Sequence, residues 1–298
     1  LTATFLTTLG HGTTSTNGRS REGEMLNILS LGAGVQSSTL ALMAAHGEIE
    51  PMPDCAIFAD TGDEPKAVYE WLVWLETQLP FEVHRVSKGV ISQDSLKLKT
   101  AKNGNIYTYV EIPAHLSHAV DKKKAGVQRR VCTQDYKINP IRKKLRGLVG
   151  LTRVTKNTPI LVSQWIGIST DEAVRTKPSR DRWIENRWPL IEKNINRQEC
   201  LSWLKNNGYP TAPRSACVYC PFHNDNEWLR IKTTDSDGFQ KAVTFEKQYQ
   251  DTLSKTTLLG DRIPYFHRSR VPLDEVDFDP NRDQFDMFDH ECEGMCGV

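Results

Sequence analysis

Between residues 26 and 86 the chain alternates between short apolar runs and helix-like segments, and this alternation restricts the fold more than any other feature. Leu26–Leu31 predicts a strand, a Gly/Ser loop follows, and a helix runs through residues 39–45. Residues 55–59 predict a second strand that ends in Asp60-Thr61-Gly62. Pro65 then opens a helix carrying Trp71, Leu72, Trp74 and Leu75, and residues 81–86 predict a third strand. Strands joined through helices at this spacing need crossover connections, hence a mostly parallel sheet with helices on both faces. The expected class is therefore α/β, doubly wound. Further on, a helix is expected at 140–145, a fourth strand at 160–168, a polar loop holding Asp171, Glu172 and Arg175, and a helix at 198–207. After Gly208 the prolines Pro210 and Pro213 and a Cys-Val-Tyr-Cys pair predict a smaller, irregular, cysteine-rich part. The resulting organisation is a disordered extension over 1–24, an α/β domain over 25–207 and a cysteine-rich region over 208–298.

Charge is near balance, at +1, but unevenly spread. Residues 122–146 carry ten Lys or Arg against Asp135 alone, whereas residues 274–293 carry nine acids and one Arg. A basic stretch of this density is either a solvated face or a surface for phosphate or nucleic acid. No apolar run approaches the length of a membrane span, and residues 1–24 lack the basic start, apolar core and cleavage site of a secretory leader. Seven cysteines, four of them in two close pairs, suit metal or thiol chemistry better than a secreted disulfide framework. A cytoplasmic protein with no membrane contact is expected.

The Ser30–Ser38 stretch, S-L-G-A-G-V-Q-S-S, sits where a strand passes into a helix. Backbone N–H groups and a helix N-terminus at such a place can hold an anion. Gly32 and Gly34 allow close backbone approach and unusual φ/ψ, Gln36 follows, and Ser37 and Ser38 add hydroxyl donors. No Gly-Lys-Ser/Thr follows, so the loop is not of the Walker A type. Asp60, Thr61 and Gly62 end the second strand, and in an open parallel sheet both strand ends open at the edge where ligands bind.

Cys217-x2-Cys220 and Cys292-x3-Cys296 make two pairs whose thiolates suit tetrahedral Zn or an iron–sulfur cluster. His223 beside the first pair is expected to be a polar surface residue, and Cys55 and Cys200 to be core residues. The five tryptophans Trp165, Trp183, Trp188, Trp203 and Trp228 read as packing residues.

Taken in order, these segments resemble the PP-loop adenine-nucleotide superfamily, specifically the phosphoadenosine phosphosulfate (PAPS) reductases. The Ser30–Ser38 loop is similar to the PP-loop, with Gln36 where many members have Asp. F-A-D-T-G-D-E-P (58–65) resembles the family's Asp-Thr-Gly segment, V-C-T-Q-D-Y-K-I-N-P (131–140) its cysteine, basic residue and proline, and G-I-S-T-D-E-A-V-R (167–175) its arginine after a strand. The resemblance implies an adenine nucleotide (PAPS, adenosine phosphosulfate or ATP) at Ser30, Gly32, Gly34, Gln36, Ser37, Ser38, Asp60, Thr61 and Gly62. It makes Lys137 and Arg175 contacts to phosphate or sulfonate. A 4Fe-4S cluster or Zn is implied too, either on Cys132, Cys217, Cys220 and a tail cysteine such as Cys296, or on the four later cysteines with Cys132 free.

Three activities are compatible with the resemblance. In the first, Cys292 near the end of the chain attacks the sulfur of a sulfonucleotide and a thioredoxin-like partner resolves the product; Asp289, Glu291 and Glu293 around it oppose the low thiol pKa that such a role needs. In the second, ATP with Mg²⁺ is cleaved between its α and β phosphates to adenylate an acceptor, a nucleic acid held by 122–146 or a small molecule. In the third, the chain is a non-catalytic nucleotide-binding metalloprotein. The sequence leaves the oligomeric state open.

Overall fold

The computed structural model describes residues 25–118, 126–257 and 259–279. The expected disordered extension, the three lysines Lys122, Lys123 and Lys124 that open the basic stretch, and the tail with Cys292 and Cys296 lie outside these residues. The first half alternates as the sequence predicts: β1 (Leu26–Leu31), α1 (Val35–Ala45), β2 (Cys55–Asp60), α2 (Lys66–Gln78) and β3 (Glu82–Ser87). A short helix α3 (Ile91–Ser95) and a hairpin of β4 (Leu98–Thr100) and β5 (Ile106–Thr108) come next, then β6 (His115–His118) and β7 (Gly126–Val127). A π-helical turn, Thr133–Ile138, runs without a break into α4 (Asn139–Leu148), which leads to β8 (Val162–Ile166), a 3-10 turn at Thr170–Arg175 and β9 (Ile184–Arg187). The chain ends its described course with α5 (Pro189–Glu192), α6 (Arg197–Asn206), α7 (Asp225–Thr234), α8 (Ser236–Ser254) and β10 (Arg262–Tyr265).

The central sheet has five parallel strands in the order β3-β2-β1-β8-β9. From β1 the chain moves outward through β2 to β3, then re-enters on the other side of β1 as β8. The order therefore reverses between β1 and β8, and the crevice at the C-terminal ends of those two strands is where an open α/β sheet binds its ligands. β9, which the sequence reading missed, closes the sheet on the β8 side; its four residues are too few to carry a period.

Helices cover both faces, which makes the sheet doubly wound. On one face Leu29, Leu31, Ala56, Phe58 and Trp165 meet α1, α2 and α6. On the other, Ile28, Cys55, Ile57 and Val162 meet Ile141 and Leu145 of α4. Because alternate residues of each strand face opposite sides, burying both sides favours the mostly apolar composition of β1 and β2, in which Asn27, Ser30 and Asp60 are the polar exceptions. Cys55 and Cys200 are core residues, as expected, and burial pushes their thiols up to about 11 and about 12. Trp165, Trp183 and Trp228 are fully buried packing residues.

A second core stands apart from the sheet. It joins Ile91, Val110, Ile112 and Leu116 to Trp228, Phe245, Tyr249 and Phe266, so it draws on residues on both sides of Gly208. The irregular course expected after Gly208 is wrong: α7 and α8 account for most of 225–254. Their starts are marked by side-chain caps, Asn224 on Glu227 N and Asp235 on Gly238 N. The apolar stripe of α8 is interrupted in sequence by Glu246, which is buried because its carboxylate accepts the Phe266 and Leu273 amides at 2.6 and 2.8 Å. A charged residue in a core position hid the helical period.

Asp63 joins the two cores. Its side chain is fully buried, and its carboxylate accepts Ser92 N at 2.7 Å, Ser92 Oγ at 2.9 Å, Tyr219 Oη at 2.7 Å and Lys241 Nζ at 2.7 Å. Two of these partners are buried groups that lose their acceptor if the carboxylate goes, while Lys241 is 47% exposed and can turn to water. Asp63→Ala is therefore expected to lower unfolding stability by about 3 kcal/mol or more, and Lys241→Ala by about 1 kcal/mol or less. Denaturant unfolding of both variants checks this; equal losses would show that Lys241 is the principal partner.

Candidate functional site

The loop after β1 is entirely buried from Leu31 to Leu40. Positive φ occurs at Ala33 (58°), and at neither Gly32 nor Gly34, which corrects the expectation that the glycines carry the unusual backbone. A left-handed alanine costs roughly 1 to 2 kcal/mol, a local strain that the surrounding packing sustains. Ser37 folds back into the loop, its Oγ accepting Gly32 N at 3.1 Å. No side chain caps α1 at Gly34, and the first-turn amides of a helix have no intrahelical partner, which is the arrangement that can receive an anion. Ser38 Oγ instead accepts Trp71 Nε1 at 2.9 Å, and Ser30 Oγ accepts Gln164 Nε2 at 2.6 Å, so both hydroxyls are engaged with the protein.

Gln36 is buried and engaged on every side. Its Nε2 donates to Ser169 Oγ at 2.9 Å and Glu172 Oε2 at 2.7 Å, and its Oε1 accepts Arg197 at 3.4 Å. The amide thus ties α1 to the 3-10 turn after β8. The other oxygen of the buried Glu172 carboxylate holds Arg175 at 2.5 Å. A second carboxylate at position 36 would stand against Glu172, and a neutral amide donor avoids that repulsion. Burial, and next the nearby Arg214, hold the Arg197 guanidinium below its ordinary range.

The loop after β2 supplies the third wall. Asp60 Oδ1 accepts Gly62 N and Tyr69 Oη, both at 2.8 Å, which folds the Asp-Thr-Gly turn. Gly62 has φ 75°, and a Cβ there would sit 2.8 Å from Val90 Cγ2, so only glycine fits. Thr61 is buried with its hydroxyl 3.5 Å from Cys217 Sγ. Asp63 O accepts Val218 N at 3.0 Å, and Glu64 accepts Lys137 Nζ at 3.3 Å and Ser215 Oγ at 3.2 Å. Lys137 and Tyr136 are both buried, Tyr136 Oη donating to Asp94 at 2.5 Å, so neither faces solvent.

Cys132, Cys217 and Cys220 line one cavity together with Lys137, Arg130 and Phe222. Sequence placed two of these thiols together by spacing; the third, 85 residues earlier, is brought in by the π-helical turn that Cys132 precedes. Burial above all, then the Glu64 carboxylate, pushes the Cys217 thiol well above its ordinary range, while Lys137 and the Thr61 hydroxyl act the other way. Among the described residues no group of three His, Cys, Asp or Glu side chains is set to hold a metal ion. Cys292 and Cys296 lie outside the described residues. His223, expected at the surface, is buried: its Nε2 meets Cys217 O at 2.9 Å and its ring packs edge-on to Trp228, which pins the turn between the two cysteines.

The sequence reading passed over Asp63, Glu64, Ser215, Gln164 and Ser169 as site-forming residues. Asp63 and Glu64 stood inside the quoted 58–65 segment, but nothing in one sequence tells that adjacent acids are buried. The chain matches no family model and no curated protein. Among the described residues no helix is long and apolar enough to cross a membrane.

The β8 end approaches α1 so closely that a Cβ on Gly167 would lie 2.9 Å from both Ser37 N and Ser37 Cα. Gly167→Ala must push the turn off the loop. It is expected to cost about 1 to 3 kcal/mol in stability, by the usual range for overpacking, and to weaken any stabilisation that ATP gives. Thermal unfolding with and without ATP reads both effects; wild-type behaviour on both counts would show that the approach is not needed.

Proposed function

We propose that this chain is an enzyme of the PP-loop adenine-nucleotide type, similar to PAPS reductases, which binds its nucleotide in the crevice between β1 and β8 and carries a cysteine-ligated metal centre beside it. The observation that carries the reading is the meeting of the Gly/Ser loop, the Asp-Thr-Gly turn and the Gly167–Arg175 segment at the point of strand reversal, with the three-cysteine cavity reached directly from Thr61 and Glu64. Uncapped amides of α1 would receive phosphate oxygens, and Arg175, held by Glu172, would grip a phosphate or sulfonate.

Cys132 on the same cavity as Cys217 and Cys220 supports the ligand set that includes it over one made only by the four later cysteines, although as placed the described residues form no group of three set to hold a metal ion. Cys132, Cys217 and Cys220 would supply three ligands, and Cys292 or Cys296 the fourth. Iron–sulfur and zinc both accept such a set. A metal there keeps thiolates charged inside an apolar wall that otherwise favours the protonated thiol.

Sulfonucleotide reduction is the first reaction assigned. The thiolate of the remaining tail cysteine, Cys292 when Cys296 is the ligand, attacks the sulfur; an S–S bond forms, the S–O bond to phosphate breaks, and the nucleotide leaves with the electron pair. A thioredoxin-like dithiol then attacks the cysteine sulfur, releases sulfite and is itself oxidised to the disulfide once the enzyme thiol is restored. The second reading is ATP cleavage between the α and β phosphates with Mg²⁺, adenylating an acceptor for sulfur transfer. It is favoured by the exposed Arg129 and Lys143 of the basic stretch, which suit a nucleic-acid acceptor.

Anaerobic purification followed by iron, zinc and sulfide analysis, with turnover of PAPS, adenosine phosphosulfate and ATP on the same sample, separates these. Iron with sulfide plus sulfite release supports reduction. Metal with pyrophosphate release and no sulfite supports the second reading, and absence of turnover with every nucleotide overturns both. Cys217→Ser is expected to lose the metal, and a variant that retains it at full stoichiometry refutes the ligand assignment. Arg175→Ala is expected to weaken nucleotide binding by about 1.5 to 3 kcal/mol, the range for a charge-assisted contact; unchanged affinity in a calorimetric titration would remove Arg175 from the site.

A further inference from the structure

Glu64 touches neither wall of the crevice with a free face, and its position is unusual for a carboxylate. Its side chain is 1% exposed, with one oxygen toward Lys137 Nζ at 3.3 Å and the other toward Ser215 Oγ at 3.2 Å. Ser215 is itself fully buried and stands two residues before Cys217, so the carboxylate is anchored from the segment that carries the cysteine pair. Lys137, 9% exposed, comes from the π-helical turn and lines the cavity of Cys132, Cys217 and Cys220. Three separate segments thus converge on one ion pair at the boundary between the nucleotide edge and the cysteines.

A lysine is a point charge on a flexible four-carbon stem, and a buried ammonium needs an opposite charge to remain in place. We infer that Glu64 is a positioning residue, which fixes the Lys137 ammonium where an anionic phosphate or sulfonate oxygen of the nucleotide meets the cysteine cavity. The inference rests on the adenine-nucleotide reading above and deepens it by assigning the group that aims the lysine. Glu64 acts only through Lys137, so its effect on ligand must vanish when the lysine is gone.

The test is a double-variant cycle on anaerobically purified protein, with calorimetric affinities for PAPS and for ATP measured on wild type, Glu64→Gln, Lys137→Met and the double variant. Glu64→Gln preserves shape and the capacity to accept the Ser215 hydroxyl while removing the charge. Each single change is expected to loosen binding of the preferred nucleotide about tenfold, the scale of one charge-assisted hydrogen bond, and the double variant to bind no more weakly than Lys137→Met. Additive losses, or wild-type affinity in Glu64→Gln, overturn the inference and leave the nucleotide reading standing. A wild type that binds neither nucleotide overturns both. If Glu64→Gln does not fold, Ser215→Ala keeps both charges and frees one side of the carboxylate; it is expected to loosen binding in the presence of Lys137 and to add nothing to Lys137→Met, and a loss that persists without the lysine overturns the inference.

Discussion

The buried carboxylate of Asp63 is the constraint on which the rest of the structure depends. It follows the Asp-Thr-Gly turn at the end of β2, yet its partners are Tyr219 of the second core and Ser92 and Lys241 on segments that contribute to that core. A carboxylate taken out of water is tolerated only when donors replace the lost hydration, and here they come from two distant stretches of chain. The C-terminal edge of the sheet and the turn between Cys217 and Cys220 are consequently held in one register. Thr61, Glu64 and the Asp63 carbonyl add contacts to the same turn, so the DTGDE stretch is at once a wall of the crevice and the floor of the cysteine cavity.

Around that junction the site is built from pairs of groups that restrain one another. Glu172 holds Gln36 and Arg175, Glu64 holds Lys137 and Ser215, and the cations that would meet an anionic ligand are each kept in place by a buried acid. Such pairing costs desolvation, and it contributes little net stability unless every lone pair is used. Its benefit is orientation: a guanidinium or ammonium already held in place by a buried acid would lose less entropy on meeting an anionic group. The strain at Ala33 and the contact of Gly167 with Ser37 belong to the same arrangement, since both shape the backbone between β1 and α1.

The parallel sheet was legible because strands buried on both faces are mostly apolar, and β1 and β2 are, with Asn27, Ser30 and Asp60 as the polar exceptions. The segments after β1, β2 and β8 were legible as loops of small and polar residues at strand ends. The later helices were not. α8 places Glu246 among its buried residues, and a residue that is apolar only in effect, through two backbone donors, breaks any count of hydrophobic period. His223 was misread for a related reason: an imidazole beside a cysteine pair looks solvated until a backbone carbonyl and an indole are found around it.

Sequence by itself determined the α/β class, the order of the first three strands and their helices, the core roles of Cys55 and Cys200, and the segments that surround the crevice. These follow from local periodicity and from the residue types that strand ends and turns require. Only the tertiary structure decided that the strand order reverses between β1 and β8, that Cys132 shares a cavity with Cys217 and Cys220, and that Asp63 and Glu64 are buried. Those facts depend on which distant segments meet, and the partners that make the buried charges of Asp63 and Glu64 tolerable stand 29 to 178 residues away, as Ser92 (29) and Lys241 (178) from Asp63 illustrate.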